Sequence, residues 1–265
     1  MDFPVDHDLH THTLLSACSA DPEQTVQALL DNAKAHGYRR QAVTDHLWDN
    51  LVPDPSPWYA PQDVEHVMKN LPLPQDDQVE MIFGCETEYC GKKKLGLHPS
   101  HFDRFGMIVI PVNHFHMIDF VRPARYDSEE KIADLMAERL EELLLLDLPW
   151  KKVGIAHPVS GLVFTQGSQE RVYELIDEKR LRSCMRSFAQ KGAGIEINVS
   201  SFGPAWREHR DARLRIFRIA KEEGCRFYLG SDAHHPNDLS NVTRRAPEVI
   251  RALGLTRNDL FIPRD

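Results

Sequence analysis

The chain has 265 residues, 42% of them hydrophobic, and a formal net charge of −8. That charge argues against a duplex nucleic-acid binder, whose affinity comes from Lys and Arg on phosphates; no apolar run approaches the ~20 residues that span a bilayer. Five scattered cysteines, an odd number, fit a reducing compartment rather than a disulfide framework.

In chain order, short apolar runs alternate with longer amphipathic patterns. A run near 3–9 comes first, in an opening that has neither a basic n-region nor an apolar h-segment. A helix is expected over 22–36, with Asp21 as N-cap, Pro22 at the first helical position and Gly37 closing it in a left-handed conformation. The runs "RQAVT" (40–44), "VEMIFG" (79–84) and "FGMIVIPV" (105–112) follow. A helix over 128–146 has acids in its first turn. "KVGIA" (152–156) precedes a helix over 168–191, "AGIEINV" (193–199) one over 207–223, and "CRFYLG" (225–230) one over 246–253. This alternation predicts parallel strands with right-handed crossovers. Seven such units predict an α/β fold, a closed or nearly closed barrel in one domain over 1–265. An open doubly wound sheet is the alternative, but no G-x-G-x-x-G follows the first strand. The segments "WDNLVPDPSPWYAP" (48–61) and "CGKKKLGLHPSH" (90–101) interrupt the pattern and are expected to wall one mouth of the barrel.

Fourteen histidines are the informative part of the composition, because histidine is the commonest metal ligand. In parallel α/β folds the working residues sit at the carboxyl ends of strands. Those positions hold His10 and His12, Asp45 and His46, Glu86, His114, His157, and Asp232 with His234, while Glu196 and Asn198 lie in the sixth run. Residues i and i+2 of an extended chain share a face, so His10 and His12 can point together into the mouth, and Asp232 and His234 repeat the spacing. Such a set suits zinc, manganese or iron. Singly, each has a bland reading: His46 or Asp232 as a helix cap, His157 as a turn residue. As a set, bland readings would require a coincidence at every strand end. His36, His66 and His209 read as solvated helix residues, and His7, His98 and His101 as strand-start or loop residues. His116 and His235 adjoin candidate ligands.

The motifs "DLHTHT", "TDH", "IAHP" and "GSDAH", with Glu86 in "GCETE", His114 in "VNHFH" and the strand "IEIN", resemble those of the PHP (polymerase and histidinol phosphatase) family. The resemblance runs in order along nearly the whole chain. It implies a distorted (β/α)7 TIM-like barrel whose metal site lies at the C-terminal ends of the strands and holds two or three divalent ions. By position, His10, His12, Glu86 and Asp232 would hold the first ion. Glu86 would bridge to a second, held by His114 and His157, and His46 and His234 would hold a third. The implied reaction is hydrolysis of a phosphate ester by a metal-bound hydroxide, with Glu86, His46 and His234 in the catalytic set. One departure stands out. Where the family places an Asp or His after the first motif, this chain has Ala17 and Cys18. Cys18 as a thiolate, or Asp21, is the candidate replacement ligand.

A small phosphorylated substrate is therefore expected, with no membrane partner and a cytoplasmic location. Arg207 and Arg210 in "SSFGPAWREHR" are candidates to grip its phosphate, whereas Lys92, Lys93 and Lys94 read as solvated. A metal-dependent amidohydrolase or deaminase is the first rival, but strand four ends in "NHFHM" without that superfamily's bridging lysine. The others are an exonuclease acting on oligonucleotide ends and a binding protein with a vestigial metal site.

Overall fold

The computed structural model describes residues 2–264. Eight parallel strands form one sheet: β1 (His7–Asp8), β2 (Arg40–Val43), β3 (His46–Leu47), β4 (Glu80–Thr87), β5 (Met107–Pro111), β6 (Val153–Ala156), β7 (Gly194–Asn198) and β8 (Arg226–Gly230). β2 and β3 both pair with β4, in register Val43 to Phe83 and His46 to Glu86. They are two halves of one stave, so the wall has seven. Backbone bonds bring the ends together: Leu9 N donates to Leu229 O at 2.9 Å, Asp232 N to His10 O at 2.8 Å and His12 N to Ala233 O at 3.1 Å. The result is a nearly closed α/β barrel.

β5, β6 and β7 are buried along their whole length, as strands covered on both faces must be. One apolar cluster, including Ile82, Met107, Val109 and Tyr228, fills the barrel interior. Ile82, Gly84 and Glu86 share one face of β4, which puts Glu86 at the top of that packed layer. A larger cluster joins the outer strand faces to the helices α1 (Val26–Ala35), α2 (Val64–Val67), α3 (Glu129–Leu143), α4 (Gln169–Leu175), α5 (Glu178–Lys191), α6 (Arg210–Glu222) and α7 (Asn241–Leu253).

Several expected boundaries move, each for a local reason. α1 starts at Val26, not at residue 22, with Thr25 rather than Asp21 as its cap. The buried Gln24 side chain donates to His12 O at 2.7 Å and Ala233 O at 3.1 Å, and this anchor holds the chain irregular up to Thr25. Gly37 does take a left-handed φ of 68°. The single helix expected over 168–191 is two. Arg215 caps α4 through Tyr173 O and Ile176 O, and Asp177 accepts from Arg180 N at 2.8 Å to start α5. α7 begins at Asn241, five residues early, and carries Pro247 inside it. The first strand is only two residues long, whereas β4 runs on to Thr87 and takes Glu86 into the sheet.

Candidate metal centre

The strand tops aim the predicted side chains at one small volume. His10 Nε2 and His12 Nε2 are 3.1 Å apart, and each lies 3.4 Å from Glu86 Oε2. Asp232 Oδ1 approaches the same pair at 3.6 and 3.2 Å. The other Glu86 oxygen, Oε1, faces His157 Nε2 at 3.2 Å and His114 Nε2 at 4.0 Å. His46 Nδ1 reaches Glu86 Oε2 at 2.9 Å, and the His12 ring stacks on that of His234 with centroids 4.0 Å apart. Three overlapping groups have ligand atoms within 4.8 Å of one another: His10, His12 and Glu86; Glu86, His114 and His157; His12, His46 and His234. Both His157 and Asp232 adopt positive φ, 23° and 56°, a backbone conformation that non-glycine residues adopt chiefly where the surroundings enforce it.

Behind this layer, acceptors fix the rings. Glu196 Oε1 bonds His10 Nδ1 at 2.8 Å while its Oε2 accepts from His157 N at 2.5 Å. Glu88 Oε1 bonds His114 Nδ1 and accepts from the Tyr59 hydroxyl. Asn113 Oδ1 meets His157 Nδ1 at 3.1 Å. Ser16 Oγ lies 3.0 Å from His12 Nδ1 and donates to Asp45 Oδ1 at 2.6 Å. Metal-binding histidines characteristically direct their second nitrogen at such a partner. Asp45, read from the sequence as one of the strand-end set, thus stands behind His12 rather than beside the ligand atoms.

Electrostatics favours ionised carboxylates. Burial pushes Glu86 up, but the His46 and His10 charges and hydrogen bonds from His10 and His157 hold it well below the usual range. Asp232 is likewise held down, by His10, His12 and His234 against burial. Burial lowers His10, but Glu196, Glu86 and Asp232 more than compensate and raise it. Burial, together with His234 and His46, lowers His12 well below its ordinary value.

The residues fit a metal ion on an internal observation. Glu86 Oε2, His46 Nδ1 and His234 Nε2 are buried and make no well-aligned hydrogen bond among the described residues, although Glu86 Oε2 and His46 Nδ1 lie only 2.9 Å apart. An unpaired buried polar atom is costly, and coordinated cations would satisfy all three. The donor set of imidazoles and carboxylates suits a borderline transition metal.

Cys18 is exposed yet lines the cavity over this centre beside His46 and His234. Desolvation raises its thiol, but hydrogen bonds and charge from His234 and His46 bring it down to about 7. Asp21 does not reach in; its Oδ2 lies 2.8 Å from His235 Nε2. Arg207 and Arg210 are not brought here either. Both line a separate surface hollow with Trp206 and Glu248, where Glu248 pairs with the Arg207 guanidinium through two bonds. The 48–61 segment does form a wall, through 55–59. The 90–101 segment lines a different hollow.

Sequence position alone gives Glu88 and Glu196 no orienting role. For Glu88 a signal was present: in "ETE" it lies two residues from Glu86, on the same strand face.

The PHP domain family matches residues 8–200, carrying five of the six histidines of the centre, and Glu86. This chain belongs to the PHP family. It is 25% identical over 262 residues to a "probable phosphatase" of Shewanella sp. (strain ANA-3), covering 98% of this chain and 88% of that one. Among solved structures, the fold is similar to a histidinol phosphate phosphatase of Lactococcus lactis, complexed with zinc, L-histidinol and phosphate. That similarity has a TM-score of 0.57 at 15% identity, over 94% of both chains.

Proposed function

We propose that this PHP-family protein is a metal-dependent phosphoric ester hydrolase acting on a small-molecule phosphate ester. The observation that carries the reading is Glu86: one buried carboxylate whose two oxygens face separate histidine groups. In this reading His10, His12, Glu86 and Asp232 hold one ion, and Glu86, His114 and His157 a second. His46 and His234, with Cys18, hold a third. Zinc, manganese or iron bound there would neutralise phosphoryl oxygens and acidify a water. The protein's own groups do the rest. Glu86 spans the centre, and Glu196, Glu88 and Asn113 keep the imidazoles in orientation. His46 and His234 line the open side of the cavity, and whichever of them no third ion engages is within reach of a leaving oxygen that needs a proton. The phosphatase name of the Shewanella relative supports the reaction class, and the zinc and phosphate of the Lactococcus structure support the chemistry.

No described helix is long and apolar enough to cross a membrane. The five cysteines are all free, which suits the proposed reducing, cytoplasmic setting.

A screen of phosphate esters with manganese, zinc and iron, against a chelator control, tests the reading. We expect phosphate release that chelation abolishes and metal restores. Metal-loaded protein that turns over no ester in the panel would overturn it.

A further inference from the structure

Above the candidate ligands lies a cavity of about 880 Å³ with apolar walls. Pro57, Trp58 and Tyr59 form one side, and Met117, Ile118 and Phe120 another. The Trp58 ring meets His46 edge-on, centroids 5.0 Å apart, so the wall begins directly beside the centre. Tyr59 is buried, with its ring 6.0 Å from that of Phe120, and its hydroxyl is committed to Glu88 Oε1 at 2.8 Å. Among the described residues that line the cavity, none is Lys or Arg.

Two cationic side chains of the flanking segments, Arg122 and Lys94, are engaged elsewhere. Arg122 donates to Phe115 O at 2.7 Å and to Tyr126 O, pinning the loop that carries the second wall. Lys94 lies over the Trp48 ring at 5.1 Å and donates to Asp54 O. Beyond Glu86 and Asp232, the remaining carboxylate in the lining is Asp119, which is exposed.

We propose that this cavity selects monoesters carrying a single phosphate on an aromatic or apolar leaving group, with Trp58 and Phe120 as specificity-determining residues. It discriminates against esters with a second phosphate. The proposal rests on the phosphoesterase reading and narrows its substrate class. In the reaction a water oxygen bonds to phosphorus and the P–O bond to the leaving group breaks. The proton released by the water ends on the leaving oxygen, so the products are an alcohol and inorganic phosphate.

The reason is the balance of charge. Cations at the centre would neutralise one phosphate. A second would lose its water against apolar walls with no counter-ion and would face Asp119, and burying an unpaired charge is strongly unfavourable. An apolar ring, in contrast, gains from leaving water and from edge or face contacts with Trp58 and Phe120.

Three esters of primary alcohols separate binding from leaving-group reactivity: 2-phenylethyl phosphate, ethyl phosphate and ethane-1,2-diol bisphosphate. With metal-loaded protein, kcat/KM for the phenylethyl ester should exceed that of ethyl phosphate by about tenfold or more, and the bisphosphate should fall below both. Trp58→Ala should shrink the phenylethyl-to-ethyl ratio. Ile118→Lys, at a position 46% exposed and therefore tolerant, should raise the bisphosphate relative to the ethyl ester. Calorimetry should show 2-phenylethylphosphonate binding more tightly than ethylphosphonate. A bisphosphate hydrolysed as well as the phenylethyl ester, or ratios that neither variant moves, would overturn the selectivity while leaving the phosphoesterase intact. No turnover of any ester would overturn both.

Discussion

Burial takes the Glu86 carboxylate out of water, yet the charges of His46 and His10 hold it ionised. Glu86→Gln keeps the shape and removes the charge that two ions would share. We expect it to cut kcat by at least about a hundredfold and to lower the metal content found by elemental analysis; near-normal turnover with full metal content would remove the bridging role. Glu88 acts one layer back, through His114. Glu88→Gln should therefore weaken metal affinity by about ten- to a hundredfold in a chelator-competition titration, and an unchanged affinity would make Glu88 merely a partner for Tyr59. In the proposed reading Cys18 completes the ligands of a third ion beside His46 and His234. Cys18→Ser should lower the bound metal by about one ion and shift preference from zinc towards manganese, because soft sulfur favours zinc. An unaltered metal count would leave the thiol as a cavity-wall group only. The candidate ligands are legible because H-x-H, D-x-H and strand-end placement are local signals. Glu88, one residue past β4, and Glu196, within β7, are harder to read, since an acid there becomes an orienting group only when a histidine from another stave is set against it.

At the scale of elements, the barrel closes where β1 meets β8, and His7 takes part. Its Nε2 accepts from Leu229 N at 3.0 Å, which requires an unprotonated nitrogen. Burial lowers its pKa below 6.5, and the Asp6 contact only partly offsets this. The folded state thus binds fewer protons than the unfolded one, so this contribution is present above the unfolded pKa and is lost as pH falls below it. A His7→Gln variant can accept the same bond without titrating. Melting temperatures measured between about pH 8 and about pH 5.5 should therefore fall less for the variant than for the wild type; parallel curves would contradict the assignment. The same scale explains the shifted boundaries. Asp21-Pro22 is a good local helix start, but the tertiary anchor of Gln24 on His12 O and Ala233 O overrides it. Arg207 and Arg210 follow β7 closely in sequence, yet Glu248 on α7, some forty residues later, captures Arg207 at the surface. The Met117–Phe120 wall was not legible because it depends on a fold-back that Arg122 pins through Phe115 O and Tyr126 O.

For the whole molecule, the barrel is a device that brings sequence-distant residues to one end. Glu86 from the fourth strand, His157 after the sixth and Asp232 after the eighth become neighbours only through the parallel register. In the proposed reading, an acidic chain with no Lys or Arg among the described residues that line the cavity over the centre would draw the field for a phosphate from bound cations, which would tie activity to metal more strictly than in arginine-lined sites. The most direct test is a titration of chelator-treated protein with manganese or zinc, following ions bound per chain and phosphate released in the same samples. The account predicts little release below one ion per chain and a rise as the second ion binds. Full activity with less than one ion per chain, or two bound ions with no ester hydrolysed, would contradict it.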